Sequence, residues 1–110
     1  MSNKNVLPIL DRAIELTKTM GWTTEYLCRD ADGVPTEIDD EEACSFCTLG
    51  FLLRAGLDVT GNPHMFKYDA CAAVYKALDN KDIAISIFND EYAKSVDDIT
   101  ALFEKAKEYV

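Results

Sequence analysis

Histidine, basic residues and long apolar runs are scarce in this chain, and each scarcity removes a class of function. His64 is the only histidine, and no serine or cysteine stands beside it in an arrangement that supports nucleophilic catalysis. The 11 Lys and Arg residues face 20 Asp and Glu, a formal charge of −9. Such a surface repels phosphate backbones, so direct nucleic-acid binding is disfavoured and a protein with a basic surface becomes the expected partner. No stretch approaches the roughly 20 apolar residues of a membrane span, and Met1 to Asn5 lacks the apolar core of a secretion signal. A cytoplasmic location without membrane contact is expected, with Cys28, Cys44, Cys47 and Cys71 as reduced thiols. There is no Gly-rich phosphate loop or dinucleotide fingerprint, and abundant carboxylates on an acidic chain do not make a paired acid and base. No catalytic residue, cofactor or enzymatic activity is expected.

What is present is a globular balance, 48% hydrophobic and 28% charged over 110 residues, which fits a single domain over residues 1–110. The stretch Ala43 to Ala55 is apolar on nearly every side when wound as a helix, so residues 40–56 read as a buried central helix. Asp39, Asp40 and Glu42 supply capping chemistry, Glu41 adds first-turn charge, and Gly56 reads as a left-handed stop.

Around it, Val6, Ile9, Leu10, Ala13, Ile14, Thr17 and Met20 make a helical stripe, with Asn5 as cap and Gly21 as end. Residues 24–38 read either as a short β-hairpin turning at Asp32-Gly33, with Pro35 on an edge, or as an ordered loop. A third helix runs from Pro63 to Leu78 behind an Asn62 cap, with Phe66, Ala70, Ala73, Val74 and Ala77 on one face and a stop at Asp79-Asn80. A short helix over 83–88 starts at Asp82, and Phe88-Asn89-Asp90 closes it as a turn. The last helix begins at Ser95 with Asp98 completing a capping-box-like start, and carries Ile99, Leu102, Phe103, Ala106 and Val110. The fold class is mainly α: a compact bundle of four to five helices around a buried central helix, with the small hairpin as an option.

Gly21-Trp22, Asp32-Gly33, Cys47-Thr-Leu-Gly50, an Ala-rich helix and Phe88-Asn89-Asp90 together resemble a family of small bacterial and phage proteins of unassigned function. The corresponding signatures there are Gly-Trp, Cys-x-x-Gly and Trp-Asn-Asp; this chain departs by carrying Phe88 and an acidic run before the core helix. The resemblance implies a small accessory protein of a bacterium or phage and carries over no catalytic residue. The matching positions have structural readings: Gly50 lets a neighbour approach, Cys47 is a small core residue, and Asn89 and Asp90 form a turn or cap.

Two features have functional readings. Cys44 and Cys47, three apart on a helix, could share a zinc ion with Cys28, Cys71 and His64, but only one Cys-x-x-Cys pair exists, so buried thiols are expected and no metal site is assigned. A redox role for the same pair is weaker still, since the preceding carboxylates oppose a thiolate. The acidic run Glu37, Asp39, Asp40, Glu41 and Glu42 exceeds what capping needs and is the expected partner-binding face, with Trp22, Tyr26 and Tyr92 as anchors where exposed. The expected function is a non-enzymatic, phage- or mobile-element-type protein that binds a host macromolecule, with inhibition of defence or nucleic-acid machinery as one form of that role. The alternatives are a small-ligand or nucleotide-signal binder, a zinc-stabilised module and a self-assembling subunit; the oligomeric state is left open.

Overall fold

Apolar residues at threes and fours build the first helix, α1 (Val6–Thr19), which buries Val6, Ile9, Leu10, Ala13, Ile14, Leu16 and Thr17 on one side. The computed structural model describes residues 5–64, 67–78 and 83–110. Within them lie β1 (Gly21–Trp22), β2 (Cys28–Arg29), β3 (Ser45–Phe46), α2 (Thr48–Thr60), α3 (Lys67–Ala77), α4 (Ile85–Ile87) and α5 (Val96–Ala106). A π-helical turn, Phe88–Tyr92, continues α4, and a 3₁₀ turn, Lys107–Tyr109, continues α5.

The central helix is α2, packed against both α1 and α3, while α5 closes across α1 and α3. Phe46, Phe51 and Phe103 are fully buried at its centre. The Phe46 and Phe51 rings lie 5.5 Å apart and tilted, and Phe51 meets Phe103 edge-on at 6.5 Å. Each such ring removed from water contributes about 2–3 kcal/mol. The radius of gyration, 12.7 Å, is that of a compact globule of this length, about 13 Å. Arg12 ties α1 to α2 through Asp58, its Nε donating to Oδ2 at 2.9 Å.

The central helix starts later and ends later than its composition predicts. Residues 40–47 are not helical: Ser45–Phe46 is the middle strand of a three-stranded sheet ordered β1-β3-β2. It runs parallel to β1, pairing Gly21 with Ser45, and antiparallel to β2, pairing Cys28 with Phe46. A short apolar run suits strand or helix equally, and here pairing on both edges decides. The cap is Cys47 rather than the acids before it. Gly56 is not the stop but a buried position inside α2, and Gly61, at φ 82°, ends the helix with its N–H on Leu57 O at 2.8 Å.

Gly21 likewise ends no helix in a left-handed turn. It lies in β1, where a Cβ would stand 3.1 Å from Ser45 Cβ and 3.3 Å from Cys44 O, so its lack of a side chain lets the two strands close. The segment 24–38 is part loop, part hairpin. Its turn forms at Asp30–Gly33, where Asp30 Oδ1 accepts the N–H groups of Asp32 and Val34, both at 2.9 Å, and Gly33 sits at φ 82°. The returning arm is reduced to one bridge, Arg29 to Pro35.

Asn62 makes a local turn, accepting the His64 N–H at 2.9 Å, instead of capping a helix from Pro63. Phe66, the Asp79-Asn80 stop and the Asp82 cap lie outside the described residues. The expected capping box at the α5 start does not form: the Ser95 hydroxyl makes no cap bond, and Asp98 Oδ2 accepts the N–H of Lys94, one residue before the cap, at 2.8 Å. Phe88-Asn89-Asp90 is not an open turn but the beginning of the π turn, which carries Asn89 inward to 1% exposure.

Candidate functional site

Asn89 joins three elements. Its Oδ1 accepts the Trp22 Nε1–H from β1 at 2.8 Å, and the Thr48 N–H and hydroxyl from the start of α2 at 2.8 and 2.7 Å. Its Nδ2 donates to Thr23 O at 3.1 Å and to Asp90 Oδ1 at 2.9 Å. Asp90 Oδ1 also accepts the Glu25 N–H at 3.1 Å, holding Glu25 at φ 74°. A buried amide satisfied on both ends is stabilising only while every partner is present. Among the described residues no buried side-chain nitrogen or oxygen lacks a partner.

Beside this hub, Cys47 caps α2. Its Sγ accepts the Gly50 N–H at 3.3 Å, and its own N–H donates to Leu27 O at 3.0 Å. The same Leu27 carbonyl lies against Gly50, where a Cβ would overlap its oxygen and stand 3.0 Å from its carbon. Gly50 therefore does let a neighbour approach, and that neighbour is the loop before β2. Burial pushes the Cys47 thiol above its ordinary range; the Gly50 N–H works against that rise, and the Asp90 carboxylate adds to it. The group stays a protonated cap at neutral pH, unlike an activated nucleophile.

The cysteines do not share one helix face. Cys44 is in the extended chain before β3, its N–H on Arg29 O at 2.9 Å, and Cys28 in β2 donates its thiol to Thr36 O at 3.2 Å. Among the described residues no three His, Cys, Asp or Glu side chains converge where they could hold a metal ion, and none of the four cysteines is in a disulfide.

A cleft of about 140 Å³ opens next to the hub. Leu27 and Leu49 give it apolar wall, Glu25 and Asp90 bring carboxylates, and Ser86 and Tyr26 complete the lining over Cys47 and Asn89. Arg29 braces the loop on its outer side. Its Nε donates to Thr23 Oγ1 at 2.7 Å and its Nη atoms to Gly33 O and Thr24 O at 2.9 and 3.2 Å, with the guanidinium 4.7 Å from the Tyr26 ring centre.

The acidic run lies in turns between β2 and β3. Glu37, Asp39, Glu41 and Glu42 are exposed, and Asp40 is half-buried. Asp40 organises the segment: its Oδ1 accepts the Glu42 N–H at 2.8 Å, and its backbone oxygen accepts Arg54 Nη1 at 3.1 Å. Arg54 also donates to Ile38 O at 2.9 Å, so one cation on α2 holds the loop by its carbonyls. The capping role expected of Asp39, Asp40 and Glu42 is thus replaced by turn formation. Among the described residues no Lys or Arg pairs with Glu37, Asp39, Glu41 or Glu42. Of the three aromatic anchors, Tyr26 and Tyr92 are exposed, whereas Trp22 is half-buried with its N–H committed to Asn89. Thr48, a central member of the hub, carries no sequence signal beyond its place between Cys47 and Gly50.

These features define a small helical domain with a minimal sheet, a buried asparagine hub and a braced acidic loop. The chain belongs to DUF6197, a family of unknown function, whose model matches residues 1–109. No curated protein and no solved structure matches it. No helix among the described residues is long and apolar enough to cross a membrane.

Proposed function

We propose that this chain is a non-enzymatic acidic accessory protein that docks the Glu37–Glu42 loop on the basic surface of a host protein. The observation that carries the reading is the loop itself: four exposed carboxylates without cation partners among the described residues, on a backbone fixed by Arg54. A braced loop loses little freedom on binding, and its charge steers a basic partner. The net charge of −9 acts in the same direction. The phage- or mobile-element-type role, with inhibition of nucleic-acid or defence machinery, is supported by the resemblance of the sequence and by the negative charge of this face, which has the sign of the phosphates that basic grooves bind.

The test is charge reversal that spares Asp40, which the fold uses. Immobilised wild type and a variant carrying Glu37→Lys, Asp39→Lys, Glu41→Lys and Glu42→Lys are compared for capture of host proteins, with melting temperature as the fold control. A salt-sensitive basic protein retained by the wild type alone supports the reading; identical capture by both rejects it.

The small-ligand alternative has the cleft beside Asn89 in its favour. Its carboxylate rim, with no basic lining residue, suits a phosphate-bearing nucleotide poorly. A nucleotide at about 100 times its dissociation constant would add about 2.7 kcal/mol of stability, so a thermal-shift screen decides this alternative.

A further inference from the structure

We infer that the cleft between Glu25 and Asp90 seats a single arginine side chain projected by the basic partner. The inference rests on the proposed docking to a basic protein and names a contact for it away from the acidic loop.

Size comes first. At about 140 Å³ the cleft is well below the ~300–1,000 Å³ of sites that enclose whole ligands, so it suits one side chain. Its lining then selects the type. Leu27 and Leu49 offer an apolar wall to an aliphatic stem, and Glu25 and Asp90 supply negative charge where the stem ends. No basic residue lines it. Asp90 Oδ1 is already taken by the Glu25 N–H and by Asn89 Nδ2, while among the described residues no donor is bonded to its Oδ2 or to the Glu25 carboxylate.

The two acids are held together: the bond from Glu25 N–H to Asp90 fixes the loop against the π turn. Two carboxylates and the Ser86 hydroxyl bring several acceptors to one small cleft, which matches the five fixed donors of a guanidinium better than the compact ammonium of lysine. The rigid floor formed by Asn89 and Cys47 keeps this arrangement in place before any partner arrives.

The test is a titration of isotope-labelled protein followed by amide NMR, using the capped tripeptide Gly-Arg-Gly, its lysine and citrulline counterparts, and a basic octapeptide. The arginine peptide should shift the amides of Glu25, Leu27, Leu49 and Asp90 saturably, the lysine peptide more weakly, and the uncharged citrulline peptide not at all. Glu25→Gln, on an exposed side chain, should weaken arginine-peptide binding by about threefold to tenfold at unchanged melting temperature. Equal shifts with citrulline or lysine overturn the inference, as do arginine shifts confined to Glu37–Glu42, a result that leaves basic-partner docking standing. An octapeptide that shifts neither the cleft nor the loop overturns both.

Discussion

The indole N–H of Trp22 donates to the side-chain oxygen of Asn89 at 2.8 Å, across 67 positions of sequence. That bond fastens the sheet to the π turn, and Thr48 on the same oxygen adds the head of α2. Removing the acceptor strands three donors at once. Asn89→Ala is expected to cost about 3–5 kcal/mol in urea unfolding. Trp22 is the single tryptophan, so its emission should move to the red in that variant. Trp22→Phe leaves Asn89 with the two Thr48 donors and should cost only about 1–2 kcal/mol. Equal losses in the two variants would contradict the hub.

Gly50→Ala tests the approach of the Leu27 carbonyl to α2. Helix propensity alone favours alanine by about 1 kcal/mol, yet the overlap is with backbone that cannot swing away. A net loss of about 2–4 kcal/mol is expected. Gly61→Ala has open space but a φ of 82°, and should lose about 1 kcal/mol from backbone strain alone.

Cys47 gives stability a dependence on alkaline pH. The thiol's folded pKa lies above its ordinary value of 9.0, so the unfolded chain deprotonates first. Its contribution is fully present below that ordinary value and fades as pH rises through the folded one. Cys47→Ser keeps a capping oxygen and should match wild type within about 1 kcal/mol at neutral pH. Unfolding free energies from about pH 7 to about pH 10.5 should fall more steeply in the wild type than in the variant.

Arg54 braces the acidic loop through Ile38 O and Asp40 O, with its side chain 19% exposed. Arg54→Met keeps an unbranched side chain but removes the donors and the guanidinium, whose carbon lies 5.8 Å from the Phe46 ring centre, for an expected loss of about 2 kcal/mol. Hydrogen exchange at the Asp40 and Ala43 amides, which close the turns on Glu37 O and Asp40 O, should accelerate. Unchanged exchange would show that the loop holds itself.

Periodicity determined α1 and the apolar faces of α3 and α5, because a helical stripe is written in residues three and four apart and needs no distant partner; the buried central helix was legible from a run apolar on nearly every side. The turn at Gly33 was legible for the same reason, since a left-handed residue is a local demand. Tertiary structure decided where α2 begins. Ala43 to Cys47 are apolar enough for either state, and the pairing of Ser45 and Phe46 with residues from two other segments made the chain extended. It also turned Asp39, Asp40 and Glu42 from expected helix caps into part of a braced loop, through Arg54 acting from 14 and 16 positions away. The residues of the hub stand in the sequence as isolated short motifs. Only folding brings Trp22, Thr48 and Asn89 within hydrogen-bond reach, and an amide's choice of burial or exposure depends on partners that no local window contains.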